Sequence, residues 1–203
     1  MKLLYKGSIY EEQFTLKNKS PEEIDNIFNI FKQSYEQSTG SSWTYDKFIQ
    51  RANNWIFFGD PKKGFISVRP QRSGPLKMTG AAGSPYSIVS GVKEMISTEH
   101  KPIWGMASKN LASKMKSFGF IEPPAFLVKI MFKYIPSSVF GDVPSEIQKD
   151  GGVKFSYSDV GDATKYFFAN RDYYKYVVSR MIDESELPDI LKNLYNAFMN
   201  KIK

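Results

Sequence analysis

Apolar positions along this chain fall into two patterns, three-and-four spacing and short uninterrupted blocks, and their alternation predicts an α/β protein. An opening strand is expected at residues 3–10. Ser20, Pro21, Glu22 and Glu23 form a capping box with proline at the first helical position, and Ile24, Ile27, Phe28, Phe31 and Tyr35 continue a helix at its period. Thr44 caps a second helix carrying Tyr45, Phe48, Ile49 and Ala52. The blocks at 55–58 and 64–68, separated by a turn at 59–63, read as paired strands. Residues 69–75 lead to a short strand at Leu76, Lys77 and Met78, which breaks at five small residues, Thr79 to Gly83. Ser84 then reads as an N-cap and Pro85 as the first helical residue, with Ile88, Val89, Val92, Met95 and Ile96 on one face. A buried strand from Pro102 to Ala107 follows, so 76–107 is a right-handed βαβ unit with parallel strands.

A short helix from Ser108 closes at Gly119. The dense apolar run 125–135 predicts a buried strand that completes the sheet. Residues 136–152 read as a loop with one helical turn near 145–148, and 153–157 as a strand. Residues 162–181 read as an aromatic-rich helix, and Asp183 to Glu186 as a capping box for a last helix. That helix carries Ile190, Leu191, Leu194, Tyr195, Phe198 and Met199 on one stripe. The predicted fold is α/β: a mixed sheet, made of an antiparallel meander plus a central parallel strand pair, with flanking helices and a helical C-terminal extension. The expected division is a domain at 1–135 and an extension at 136–203. No internal repeat is visible.

Composition narrows the chemistry. The 203 residues can fill a core, and no apolar run approaches the roughly 20 residues of a membrane span. The first six residues are too short and polar for a signal peptide, and the expected location is a cytoplasm or a virion assembled there. With no cysteine there is no disulfide, thiol nucleophile or cysteine metal site, and no metal site is expected. A net charge of +7 and a pI of about 9.3 favour anionic partners: coenzyme phosphates, nucleic acid or an acidic protein face. Lys101, Lys109, Lys114, Lys116, Lys129 and Lys133 face only Glu122 between positions 101 and 135. A solvated lysine surface and a nucleic-acid footprint both fit that run.

Two motifs together carry a resemblance. The run Lys77-Met78-Thr79-Gly80-Ala81-Ala82 before a helix, and a later short helix ending in Gly119-Phe120, resemble the pyrophosphate loop and terminal helix of the GCN5-related N-acetyltransferase superfamily. The order strand, two helices, meander, βαβ resembles that family across residues 1–135, and the compact loop resembles its divergent phage forms. The resemblance implies acetyl-coenzyme A or another acyl-coenzyme A as co-substrate. It sets the pyrophosphate on the amides of Gly80, Ala81, Ala82, Gly83 and Ser84 and the pantetheine beside Leu76, Lys77 and Met78, with Lys77 adding charge. The asparagine that opens the family's terminal helix falls on Ser108, with Asn110 two residues on. The family's tyrosine acid falls on Met115, whose thioether cannot donate a proton. No catalytic residue is assigned, and the acceptor is an amine, with a nucleic acid, a charged transfer RNA or a nucleoprotein as candidate carriers.

Other residues read as structure. His100 lies at a helix end, and Glu94 is expected to be solvated. Trp43, Trp55 and Trp104 read as core or core margin. The cluster Tyr166, Phe167, Phe168, Arg171, Tyr173, Tyr174, Lys175 and Tyr176 suits a single-strand nucleic-acid platform, but Phe167, Tyr174, Val177, Val178 and Met181 fit one buried helical face better. Two alternatives to an acyltransferase remain: a non-catalytic nucleic-acid or protein-binding protein, and a homodimer through the C-terminal extension.

Overall fold

The computed structural model describes residues 13–39, 42–72, 74–141, 143–157 and 161–203; the opening strand expected at 3–10 lies outside them. The chain forms two compact units, Met1–Arg69 with Thr79–His100, and Pro70–Met78 with Lys101–Lys203. The boundary expected at residue 135 falls inside the second. Seven strands pair in the order β1-β2-β3-β4-β7-β6-β5: β1 Ile56–Asp60, β2 Gly64–Pro70, β3 Leu76–Gly83, β4 Ile103–Ala107, β5 Glu146–Ile147, β6 Val153–Tyr157 and β7 Gly161–Ala169. Among the described strands β3 and β4 are the parallel pair, with Leu76 opposite Ile103 and Lys77 opposite Trp104. The sheet is therefore the expected mixed one.

In the first unit the local signals fix the helices. The Ser20 amide donates to Glu23 Oε2 at 2.9 Å and the Glu23 amide to Ser20 Oγ at 3.3 Å, opening α1, Pro21–Thr39. Thr44 Oγ1 accepts from the Lys47 amide at the start of α2, Tyr45–Ala52. Their apolar faces meet β1 and β2 in an aromatic core in which the Phe31 ring contacts Tyr35, Trp43, Phe48 and Trp55. The crossover helix α3, Pro85–Thr98, buries Ser87, Gly91, Val92 and Met95 and leaves Val89 and Ile96 outward, so its buried face is rotated from the expected one. Gly91 causes this: a Cβ there would lie 2.4 Å from the Phe58 carbonyl, so only glycine lets the helix approach β1 so closely. Glu94 is half-buried rather than solvated, its Oε2 accepting from the Gly59 amide at 3.1 Å.

The second unit departs most from expectation. Residues 125–134 are helix α5, Ala125–Tyr134, not a strand. Leu127, Ile130 and Met131 enter one apolar cluster while Val128 enters another, with Phe132 packed on both. With two sides buried and only Lys129 and Lys133 interrupting the apolar residues before Tyr134, its period is hidden in a nearly continuous apolar run. The strand completing this side of β4 is β7, which lies in the segment expected to be helical. It pairs antiparallel with β4, from Trp104 opposite Ala169 to Ala107 opposite Tyr166. The switch to helix comes at Asn170, whose Oδ1 accepts from the Tyr173 amide and the Ile103 amide, each at 3.0 Å. Helical structure then runs through α7, Arg171–Tyr173, a π-turn Tyr174–Val178 and α8, Ser179–Met181.

Smaller corrections follow the same logic. The helical turn of the 136–152 loop is α6, Ser137–Phe140, behind Pro136, while Glu146–Ile147 is strand. Asp183 caps only a 3-10 turn, because Pro188 restarts the chain as the N-cap of α9, Asp189–Lys201. On α9, Tyr195 is buried, Leu191, Phe198 and Met199 pack on the core, and Ile190 and Leu194 point outward. Around Trp104, Phe167 and Tyr173, buried aromatics form the unit's centre, as the packing reading of the tail expected.

Candidate functional site

The expected site residues divide between the units: Gly80 to Ser84 in the first; Leu76, Lys77, Met78, Ser108 and Asn110 in the second. In the first unit the five small residues do not form a loop. Thr79 to Gly83 complete β3, and Ser84 alone separates strand from helix. Gly80 and Ala82 lie against the aromatic core. A Cβ on Gly80 would sit 3.4 Å from both the Phe31 ring and Ser67 Oγ, and Ala82 is buried in the aromatic core. Thr79 Oγ1 donates to the buried Ser67 hydroxyl at 2.9 Å, and that hydroxyl donates to the Gly80 carbonyl at 3.4 Å.

Gly83 closes the corner with φ at +92°, and a Cβ there would stand 2.3 Å from the Lys63 carbonyl. Two of the five amides expected to meet a pyrophosphate are already engaged. Gly83 donates to Ser34 Oγ at 3.0 Å and Ser84 to the Lys63 carbonyl at 2.9 Å. Ser84 caps α3 as expected, its Oγ accepting from the Ser87 amide at 3.2 Å. What the corner offers an anion is the exposed, positive first turn of a 14-residue helix, Pro85 and Tyr86 outermost.

In the second unit Leu76 is fully buried, and a Cβ on Gly105 would lie 3.0 Å from Met78 Cβ. The Lys77 ammonium donates to the Phe140 carbonyl at 2.6 Å and lies 4.9 Å over the Trp104 ring, so its charge is used within this unit. Ser108 is the N-cap of α4, Lys109–Met115, yet makes no side-chain cap bond, and Asn110 is exposed one residue into the helix. Met115 is buried at 2% exposure, a core residue.

The start of α4 carries a cluster that the sequence reading missed. The Tyr166 hydroxyl donates to Asp150 Oδ2 at 2.7 Å, Lys109 Nζ donates to the same oxygen at 3.0 Å, and the Gly152 amide donates to Oδ1 at 3.1 Å. Lys109 also lies 5.2 Å over the Tyr166 ring. These bonds, Tyr166's foremost, hold the Asp150 carboxyl at about 2, below the usual carboxylate range. The same carboxylate pushes the Tyr166 phenol and the Lys109 ammonium up. No sequence signal joins Lys109 to Asp150, which lies 41 positions away. The cluster also thins the expected basic run: Lys109 pairs with Asp150, and Lys116 pairs with Glu122 at 2.6 Å.

The remaining candidates are structural or simply exposed. His100 is exposed behind α3. Phe167, Phe168, Tyr173 and Tyr174 are buried, and the Tyr174 hydroxyl donates to the Ile121 carbonyl at 2.8 Å, so these rings offer no stacking platform to a base. Among the described residues no group of three or more His, Asp or Glu side chains is placed to hold a metal ion. Nor is any helix among them long and apolar enough to cross a membrane.

No protein-family model matches the chain, and no curated protein matches it. Among solved structures, Ard1 from Thermoplasma volcanium aligns with a TM-score of 0.41 at 12% identity, over 75% of this chain and 94% of that one.

Proposed function

We propose that this chain binds a coenzyme A thioester and passes its acyl group to an amine. The observation that supports this is the parallel pair β3 and β4, joined through the Ser84-capped helix α3 that starts directly behind β3. The pyrophosphate is assigned to the exposed first turn of α3, where the helix dipole favours a negative group. The spent amides of Gly83 and Ser84 and the engaged Lys77 do not fit the amide-and-lysine cradle first expected. The seat rests on the helix end.

The test is calorimetric titration with acetyl-coenzyme A and coenzyme A, against wild type and Tyr86→Glu. Tyr86 is 72% exposed in that first turn. A glutamate there stabilises the helix by about 0.3–1 kcal/mol through the dipole while repelling a pyrophosphate. The expected result is micromolar binding by wild type and at least about a tenfold loss in a variant that is no less stable. Equal affinity in both proteins would remove the helix end as the seat.

A second reading, a non-catalytic binding protein on the same fold, is favoured by Met115, which holds the position of the family's acid and is a buried thioether. Coenzyme binding without release of free thiol in the presence of amines would support it.

A further inference from the structure

We propose that a cleft between α5 and β5 is a docking site for an extended acidic peptide of another protein. The cleft, about 380 Å³, is walled by Lys129 and Lys133 of α5 on one side and by residues 144–147 on the other, with Phe132 between the lysines. That volume lies at the lower end of the range of ligand-sized clefts, about 300–1,000 Å³. All of it belongs to the second unit.

Charge identifies the occupant. Lys129 and Lys133 are both exposed and stand one helical turn apart on one face, where like charges repel. Among the described residues neither forms an ion pair; Lys133 lies only over the ring of its neighbour Tyr134, at 5.1 Å. The one carboxylate lining the cleft, Glu146, sits opposite Lys154 across the β5–β6 pair, and Lys154 itself binds Asp162 at 2.6 Å. Glu146 forms no ion pair with either cleft lysine among the described residues, so the lining keeps one net positive charge.

Geometry selects an extended peptide over other anions. Side chains at i and i+4 of a helix stand about 5–6 Å apart, and same-face residues of an extended chain about 6.6–6.8 Å apart. Carboxylates two residues apart, in an acid–any–acid pattern, thus match the two ammonium groups. The opposite wall contains β5, which among the described strands pairs only with β6 and so leaves an edge that suits an extended backbone. Val143, 75% exposed, adds an apolar contact just before that wall. A nucleic acid fits less well. Phe132 is stacked on Phe140 with centroids 4.3 Å apart, so its ring is committed to the core rather than offered to a base.

The experiment is fluorescence anisotropy of a labelled, end-capped hexapeptide alternating glutamate and valine, titrated with the full chain. Micromolar binding is expected, weakened by salt, and reduced by more than about tenfold in the double variant Lys129→Glu, Lys133→Glu. Both positions are exposed, and Lys129→Gln, Lys133→Gln serves as a milder variant expected to lose affinity in the same direction. Unchanged affinity in the charge-reversed protein, or no binding at millimolar protein, would overturn the proposal. So would an oligothymidylate probe that binds more tightly than the peptide at the same salt. None of these results depends on whether the chain binds a coenzyme.

Discussion

Two strand-to-helix corners of this chain are built in opposite ways. At the first, β3 enters α3 through backbone geometry: Gly83 in a left-handed conformation, its amide on Ser34, the Ser84 amide on Lys63 and the Ser84 hydroxyl on Ser87. At the second, β4 enters α4 without a side-chain cap on Ser108, and the corner is tied by ionisable groups, Lys109, Asp150 and Tyr166. The first corner is sensitive to volume and indifferent to pH. The second is held by groups that titrate, so it responds to pH. A corner whose polar groups are satisfied within the fold presents a ligand with a dipole and few free donors.

The sharpest way to break this contrast is Gly83→Val. A β-branched residue at a φ of +92°, with its Cβ 2.3 Å from a carbonyl oxygen, combines backbone strain with overpacking. The expected cost is about 4 kcal/mol, summing roughly 1–3 kcal/mol from each source. Urea denaturation should show it as a large fall in midpoint. A loss below about 1 kcal/mol would mean that the β3–α3 corner can rearrange, and that its small residues are there for a ligand rather than for packing.

Ser34→Ala probes the same corner more gently. Losing the Gly83 partner should cost about 0.5–1 kcal/mol, since the freed amide is exposed and can bond to water. The loss should be the same at neutral and acid pH, because no ionisable group takes part. The variant also sharpens the coenzyme reading. If a pyrophosphate sits at this corner, the released amide should tighten acetyl-coenzyme A binding, whereas unchanged affinity would confine the ligand to the helix turn beyond.

These corners also show what a single sequence carries. The capping signals at Ser20, Thr44 and Ser84 are read within three or four residues, and each names the start of a real helix. The run at 79–83 misleads because small residues suit a ligand loop and close packing equally. Here the Lys63 carbonyl demands a glycine at Gly83, and Lys63 is not adjacent in sequence. Residues 125–134 and 161–169 exchange their expected structures for a related reason. One helix is apolar but for Lys129 and Lys133 because two clusters bury it, and one strand is aromatic enough to mimic a helical stripe. The Lys109–Asp150–Tyr166 cluster gives no local signal, because an ion pair between distant segments exists only once β4 and β7 are paired.

That cluster supplies the prediction of smallest size and most specific signature, Asp150→Asn. The folded carboxyl is held at about 2, below its usual value near 3.9, so its contribution to stability is present above about pH 4 and is lost as pH falls through about 2. Wild type should therefore exceed the variant in urea midpoint at neutral pH, and the two should converge towards pH 2. Both charged partners are substantially exposed, at 44% for Asp150 and 63% for Lys109, so the neutral-pH difference should be the smallest of the three. The second signature is spectroscopic. With the carboxylate gone, the Tyr166 phenol loses the partner that pushes its pKa up, and its ultraviolet titration should move down towards the ordinary tyrosine value. A difference in midpoint that persists at pH 2, or a Tyr166 titration that does not move, would assign Asp150 to holding the turn at Gly152 rather than to an ionic tie at the start of α4. The two corners would then both be backbone devices, and the contrast between them would fall.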